Sequence, residues 1–110
     1  MIRSLLFASC LCLASASAWA QESAAPVGNA ESGHQLTFTC QGCHGVTGYK
    51  NAYPHYHVPK IGGQSSEYLV NALTEYRRGT RKHPTMEVQA QGFSEQDIAD
   101  IAAFLSGLTQ

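Results

Sequence analysis

The chain is short and weakly charged: it has 110 residues, of which 44% are hydrophobic and 14% charged, and a formal net charge of -1. A chain of this length forms one domain, and such a small domain is only marginally stable on burial of its own apolar side chains. Length and composition argue against a multidomain enzyme and a polytopic membrane protein. The slightly acidic balance argues against nucleic acid as a partner, because phosphate backbones are captured by basic surfaces.

Residues 1–20 have the pattern of a secretory signal peptide. Arg3 precedes an apolar stretch that begins at Leu5, and Ala18 and Ala20 supply the small residues of a cleavage site. Several serines dilute the stretch, whereas a membrane-spanning helix needs about 20 mostly apolar residues. We therefore expect cleavage, export to the periplasm, and no stable membrane insertion of the mature chain.

The rest of the sequence predicts a flexible leader over residues 21–28 and one all-α domain over residues 29–110. Asn29 can cap a first helix, because its side chain accepts a hydrogen bond from a free backbone N–H in the first turn. Gly33, Leu36, Thr37 and Cys40 then fall on one face of the helix, at spacings of three and four residues. This helix would deliver the cysteine motif that follows.

The exported chain keeps two cysteines, both within Cys40-Gln41-Gly42-Cys43-His44. The C-x-x-C-H pattern is the signature of covalent c-type haem attachment. Two residues between the thiols let both sulfurs reach the vinyl groups on one edge of the porphyrin. The adjoining imidazole can then ligate the iron as a neutral nitrogen donor. The motif predicts one covalent haem c, with Cys40 and Cys43 as its anchors and His44 as the proximal iron ligand.

Three other interpretations of the motif are weaker. A thioredoxin-like dithiol needs a strand before the first cysteine, and no alternating apolar strand precedes this one. A disulfide across so short a loop would stabilise little and leave His44 unexplained. A zinc site needs about four ligands, and it would have to recruit a distant histidine. The candidates for that fourth ligand are His34, His55, His57 and His83.

Two further helices are predicted after a Gly- and Pro-rich loop region. Ser65 or Ser66 can cap the first of them, which Gly79 ends in a C-terminal capping position. Ser94 with Asp97 forms a capping-box-like start for the second. Apolar residues recur with helical period in both segments, which gives each an apolar face for packing.

A second axial ligand is predicted at Met86. It is the only methionine once residues 1–20 are removed, and it lies in a polar stretch without a helical apolar pattern. We therefore expect it on an extended loop, from which a thioether can reach iron. A soft, neutral sulfur ligand favours ferrous iron and raises the reduction potential. His83, three residues earlier, is the competing ligand.

These features resemble the class I c-type cytochromes, in particular the small bacterial monohaem proteins and single domains of the periplasmic dihaem cytochromes c. The resemblance runs from Gly28 to Leu108. The matching segments are Gly28-Asn29-Ala30-Glu31-Ser32-Gly33, the haem motif with the Gly45 that follows it, Pro59-Lys60-Ile61-Gly62-Gly63-Gln64, and the stretch from Tyr68 to Arg81. The resemblance implies a class I cytochrome c fold, with three main short helices and Gly/Pro-rich loops wrapped around the haem.

The resemblance also implies roles for individual residues. Met86 falls where the family has its distal ligand. The carbonyl of Pro59 would accept a hydrogen bond from the far nitrogen of His44 and so fix its tautomer. Gly33 would let the first helix cross closely against the last one, beside Phe104.

The predicted function is electron transfer without catalysis. One electron at a time would be carried on the haem between redox proteins, with a reductase or dehydrogenase as donor and an oxidase or another protein as acceptor. Two protein ligands leave no open position on the iron for a substrate. The alternatives are a haem c subunit of a periplasmic dehydrogenase, or a haem enzyme or sensor from which Met86 dissociates.

Overall fold

The computed structural model describes residues 24–51 and 57–109. Its elements are α1 (Ala30–Leu36), α2 (Phe38–His44), a 3-10 turn (Val46–Gly48), α3 (Ser66–Arg78), α4 (Pro84–Gln91) and α5 (Glu95–Ser106). The all-α prediction is confirmed, with more helices than the three that the sequence predicted. The predicted signal peptide and His55 lie outside the described residues. Within the described part, no helix combines the length and apolar character that crossing a membrane requires.

The first predicted helix is broken at Thr37. Its φ and ψ of -81° and 3° leave the helical range, and α2 starts one residue later. The buried Thr37 hydroxyl donates to the carbonyl oxygen of His34 at 2.9 Å. Threonine hydroxyls that bond back to the preceding turn bend helices. The prediction of one helix running to Cys40 is therefore wrong, because it rested on side-chain period alone.

The helix ends predicted for α3 and α5 are confirmed. Ser65 caps α3 by accepting a hydrogen bond from the backbone N–H of Tyr68 at 3.2 Å. Gly79 ends α3 in the left-handed region, with φ of 72°. Ser94 and Asp97 form a reciprocal capping box at the start of α5. These ends were predictable because each depends on a few neighbouring residues.

The segment around Met86 is helical, and the expectation of an extended loop is wrong. Helix α4 starts at Pro84, whose fixed φ and missing N–H suit the first helical position. The preceding residue, His83, is the N-cap. The apolar residues of α4 do not form a continuous stripe, which is why the sequence pattern gave no helical signal there.

Helix α5 lies at the centre of the fold, where it packs against α1 and α3, and α4 packs against α3. Among the described residues, the buried hydrophobic side chains are Val46, Leu69, Ala90, Ile98, Ala99, Ile101, Ala102 and Leu105. Most of them belong to α5. A core this small gives limited stability by itself, which favours a fold completed by an apolar cofactor.

The segment before α1 is held against α5. Gln96 donates to the carbonyl oxygen of Val27 at 2.9 Å, and the backbone N–H of Asn29 donates to the Asp100 carboxylate at 2.7 Å. Asp100 is buried and receives a second hydrogen bond from Gln96 at 2.7 Å. The buried carboxylate thus ties the entry of α1 to α5 through two donors. The leader over residues 21–28 stays a prediction.

Replacing Asp97 by asparagine is expected to remove an acid-sensitive part of the α5 cap. Hydrogen bonds from the Ser94 hydroxyl and backbone N–H hold the pKa of Asp97 below its ordinary value. A depressed carboxyl pKa stabilises the fold above the unfolded-state pKa, and this stabilisation is lost as the pH falls through the folded-state pKa. Asp97→Asn should therefore lower the free energy of unfolding at neutral pH, by less than about 1 kcal/mol.

Urea unfolding of both proteins between about pH 7 and about pH 2 measures this difference. The difference in free energy of unfolding between Asp97→Asn and the parent protein should shrink as the pH falls. A gap of constant size across the range would contradict the acid-sensitive role of this carboxylate.

Candidate haem site

The two cysteines and the histidine of the motif lie on α2. Cys40 and His44 are half-buried and Cys43 is exposed, and both thiols are free. Burial raises the pKa of the Cys40 thiol, the neighbouring Thr39 hydroxyl partly opposes this, and Cys43 adds to it. Spacings of three and four residues place all three side chains on one side of a short helix. The helix therefore presents two thiols and an imidazole together.

Helix α2 ends immediately after His44. Gly45 has φ of 65°, a left-handed conformation that suits glycine, and its N–H donates to the carbonyl oxygen of Gln41. The chain turns away here into the 3-10 turn. The imidazole of His44 is thus left at the end of the helix rather than inside it.

The imidazole of His44 makes a hydrogen bond to the backbone carbonyl oxygen of Pro59, with 2.7 Å between Nδ1 and the oxygen. A carbonyl oxygen only accepts, and in the neutral ring Nδ1 is therefore the nitrogen that carries the hydrogen. The lone pair of Nε2 stays available for a metal. Ligating histidines typically make this second hydrogen bond, which fixes the ring orientation and the tautomer.

The loop that carries Pro59 is itself held in place. Gln64 donates through its side-chain amide to the carbonyl oxygen of Lys60 at 3.1 Å, and the backbone N–H of Gly63 donates to that of Leu105 at 2.8 Å. The second bond joins the loop to α5. The loop that supplies the acceptor for His44 is thereby tied to the helix at the centre of the fold.

An open cleft of about 440 Å³ lies beside Cys43 and His44. Its other walls include Val58, Lys60 and Leu108. Two apolar side chains, a nearby cation, and the thiols and imidazole presented by α2 form a set of groups that fits a covalently bound haem. Histidine and cysteine side chains of this kind are ordinary partners of haem iron and haem vinyl groups.

Met86 is half-buried in the first turn of α4. Its backbone N–H donates to Nδ1 of His83 at 3.4 Å, and the backbone N–H of His83 donates to the Glu87 carboxylate at 3.0 Å. His83 and Glu87 thus cap the start of α4 reciprocally. His83, which the sequence offered as the competing iron ligand, therefore stabilises the helical turn that contains Met86.

The remaining candidate histidines lie apart from the motif or outside the described residues. The ring of His34 packs against Phe104, with 4.8 Å between ring centroids, and His57 is exposed. Across residues 24–51 and 57–109, no three His, Cys, Asp or Glu side chains are grouped so as to hold a metal ion.

Two arginines near Met86 in the sequence have structural contacts. Arg77 is bonded to the Glu95 carboxylate at 3.3 Å and to the carbonyl oxygen of Phe93 at 3.2 Å. The Arg81 guanidinium lies 4.9 Å from the ring centroid of Tyr76. Both side chains therefore connect parts of the fold.

The sequence pattern of the cytochrome c family matches residues 30–109. The chain belongs to the cytochrome c family. The predictions of a class I cytochrome c fold, of covalently bound haem c and of electron transfer are confirmed by this membership and by the relatives below. Cytochromes of this family act together with redox partners.

Several bacterial cytochromes resemble this cytochrome c closely. Cytochrome c-554(548) of Halomonas halodenitrificans is 44% identical over 72% of this chain and 95% of its own length. The cytochrome subunit of sulfide dehydrogenase of Chlorobaculum tepidum is 32% identical over 71% of this chain and 67% of its own length. Cytochrome c4 of Azotobacter vinelandii is 33% identical over 72% of this chain, but only 40% of its own length is covered.

The fold is also that of a solved structure. The reduced recombinant cytochrome c4 from Pseudomonas stutzeri matches with a TM-score of 0.62 and 29% identity. The match covers 76% of this chain and 52% of the other chain. This cytochrome c therefore spans about half the length of that protein.

Sequence reasoning missed how α4 begins. His83 acts as a cap and Glu87 as its reciprocal acceptor, whereas the sequence offered His83 only as an iron ligand. The available signal was the order of His, Pro at the first helical position, and Glu three residues later. Lys60 and Leu108, which line the cleft, carried no local signal because only the tertiary fold brings them to the motif.

Proposed function

We propose that this cytochrome c is a periplasmic carrier of single electrons. In this proposal Cys40 and Cys43 hold the haem through thioethers, and His44 and Met86 are its axial ligands. The observation that carries the proposal is the hydrogen bond from Nδ1 of His44 to Pro59, which leaves Nε2 unprotonated. Bound haem supplies the one-electron chemistry, with iron alternating between the ferric and ferrous states.

The polypeptide then has three tasks. The Pro59 carbonyl orients His44, and its negative partial charge makes the imidazole a better donor. Met86 supplies a neutral sulfur, which favours the ferrous state and raises the reduction potential. Since both axial positions are taken by side chains, no position is left for a substrate, and the protein transfers electrons without catalysing a reaction of its own.

Its partners are other redox proteins: a reductase or dehydrogenase as electron donor, and an oxidase or another protein as acceptor. In this proposal residues 1–20 direct export and are cleaved after Ala20, so that the carrier acts in the periplasm without stable insertion in the membrane. The slightly acidic net charge supports redox proteins rather than nucleic acid as partners. The small, single-domain form suits a protein that alternates between two partners.

An optical spectrum of the ferric protein, purified from a host able to attach haem c, tests the proposal. We expect a low-spin spectrum with the weak far-red band of methionine sulfur on iron, and a ferrous protein that does not bind carbon monoxide. A low-spin spectrum without the far-red band would contradict ligation by Met86. Rapid carbon monoxide binding would contradict a filled distal position and favour a haem enzyme or sensor.

A second candidate is a haem c subunit of a periplasmic dehydrogenase. It is favoured by the 32% identity to the cytochrome subunit of a sulfide dehydrogenase. Gel filtration of the native protein from a periplasmic extract distinguishes the two functions. Elution at the size of the small chain alone supports a free carrier, whereas co-elution with a large dehydrogenase through several purification steps supports a subunit.

A further inference from the structure

The chain between α3 and α4 is fixed by several contacts at once. The carbonyl oxygen of Glu75 accepts hydrogen bonds from the backbone N–H groups of Thr80 and Arg81, at 3.0 and 3.3 Å. The Thr80 hydroxyl donates to the same carbonyl at 3.2 Å. The connection is therefore held against the C-terminal end of α3. Because α4 follows this connection closely, the same contacts help to fix the position of its first turn.

Aromatic rings of α3 hold this connection from the side. The Arg81 guanidinium lies over the rings of Tyr76 and Tyr68, at 4.9 and 5.9 Å from their centroids, and donates to the Tyr68 hydroxyl at 3.4 Å. A guanidinium over two rings is attracted to both faces. The ring of Tyr76 in turn meets that of His83 edge-on, with 6.5 Å between centroids. Contacts with aromatic rings thus continue from Arg81 to His83, the residue that caps α4.

The hydrogen bonds of His83 define what its imidazole can do. Nδ1 accepts the N–H of Met86, and a neutral imidazole that accepts at Nδ1 carries its proton on Nε2. Neither nitrogen then has a free lone pair for iron. The N–H of His83 is satisfied by Glu87. His83 is bound to the backbone of the same residue, Met86, that the proposed function assigns to the iron.

We propose that His83 is a positioning residue that caps α4 and holds Met86 in place as the distal ligand, with Tyr76 and Arg81 supporting it from α3. This inference rests on the proposed function, because it gives a role to the residue that precedes the proposed ligand. The α4 cap limits the freedom of the Met86 backbone, and the thioether consequently stays on the iron against competing ligands.

Three variants of the haem-loaded full chain test the proposal: His83→Ala, His83→Asn and Ser94→Ala. His83→Ala removes the cap, whereas asparagine is a good helix N-cap that lacks the imidazole. Ser94→Ala removes an equivalent cap from α5, away from Met86. The measurements are the far-red band of the ferric spectrum and the affinity of the ferric protein for added imidazole, which binds only where the thioether leaves.

His83→Ala should weaken the far-red band and tighten imidazole binding roughly fivefold, the factor that corresponds to a typical helix cap. His83→Asn should restore the parental far-red band and the parental affinity for imidazole. Ser94→Ala should leave the band and the affinity unchanged, although it lowers thermal stability. Parental values for His83→Ala would overturn the proposal. The proposal would also be overturned if His83→Asn changed the far-red band and the imidazole affinity as much as His83→Ala does, because the imidazole of His83 itself would then be required.

Failure of the proposed function has a different signature. If Met86→Leu keeps the far-red band while either His83 variant loses it, the assignment of the Met86 sulfur as the distal ligand is wrong. The proposed role of His83 in positioning that ligand is then wrong as well. If His83→Ala does not accumulate, Arg81→Gln keeps the proposal testable, with Lys82→Gln as the matched change at its exposed neighbour. Arg81→Gln should tighten imidazole binding and Lys82→Gln should not. Equal effects of the two would overturn the support from α3.

Discussion

Replacing Gly33 by alanine is expected to lower the free energy of unfolding by about 3 kcal/mol or more, at the upper end of what overpacking costs. A Cβ at this position would overlap the carbonyl oxygen of Asp100 and lie 2.9 Å from Cβ of Phe104. The obstacle is mainly backbone of α5, which a side-chain rotation cannot relieve. Helix α1 would have to move away from α5, and the haem motif follows α1 directly.

Thermal unfolding of the haem-loaded protein measures this effect. A loss of about 3 kcal/mol corresponds to a fall in Tm of more than about 12 °C for a domain of this size. Gly107→Ala is the matched control at the C-terminal cap of α5: the φ of -79° at Gly107 is ordinary, and the nearest atoms to an added Cβ are 3.6 Å away. A Tm for Gly33→Ala within a few degrees of the control would contradict the close crossing of α1 and α5.

The close crossing at Gly33 was expected from the family resemblance and is confirmed, together with its neighbour Phe104. The caps of α3 and α5 were predictable from the residues alone, because a cap is a contact between residues three or four positions apart. Ser65 with Tyr68, Gly79 with Glu75, and Ser94 with Asp97 are contacts of this kind. Helix ends therefore followed from the sequence wherever a side chain and its backbone partner are neighbours.

The errors have a common physical origin. The break at Thr37 depends on a buried hydroxyl bonding back into α1, a contact that a count of apolar spacings does not detect. The helix around Met86 is stabilised by its cap and by packing on α3 rather than by an apolar stripe of its own. Cys40, Cys43 and His44 were found from a motif. The position of Lys60 in the wall of the cleft, by contrast, depends on how distant segments of the chain pack together. Local patterns thus identified the candidate ligands, and tertiary packing determined their supports.

Met86→Leu is expected to have the largest effect on redox behaviour, because it removes the sulfur and keeps most of the side-chain volume. The far-red band should disappear, and the ferrous protein should bind carbon monoxide at the vacated distal position. The reduction potential should fall by on the order of 100 mV, a fraction of the about 0.8 V over which axial ligands tune haem iron. The direction follows from the loss of a soft, neutral ligand that favours ferrous iron.

Val88→Ala is the control for general damage to α4, since Val88 is 69% exposed on the same helix. It should keep the far-red band, the potential and the resistance to carbon monoxide. Haem should stay attached in both variants, because the proposed attachment is through Cys40 and Cys43 on α2 rather than through α4. If Met86→Leu keeps a low-spin spectrum and the parental potential, sulfur is not the distal ligand. The capping geometry of His83 would then have to open before its imidazole reached the iron, and loss of low-spin iron in His83→Asn would identify that exchange.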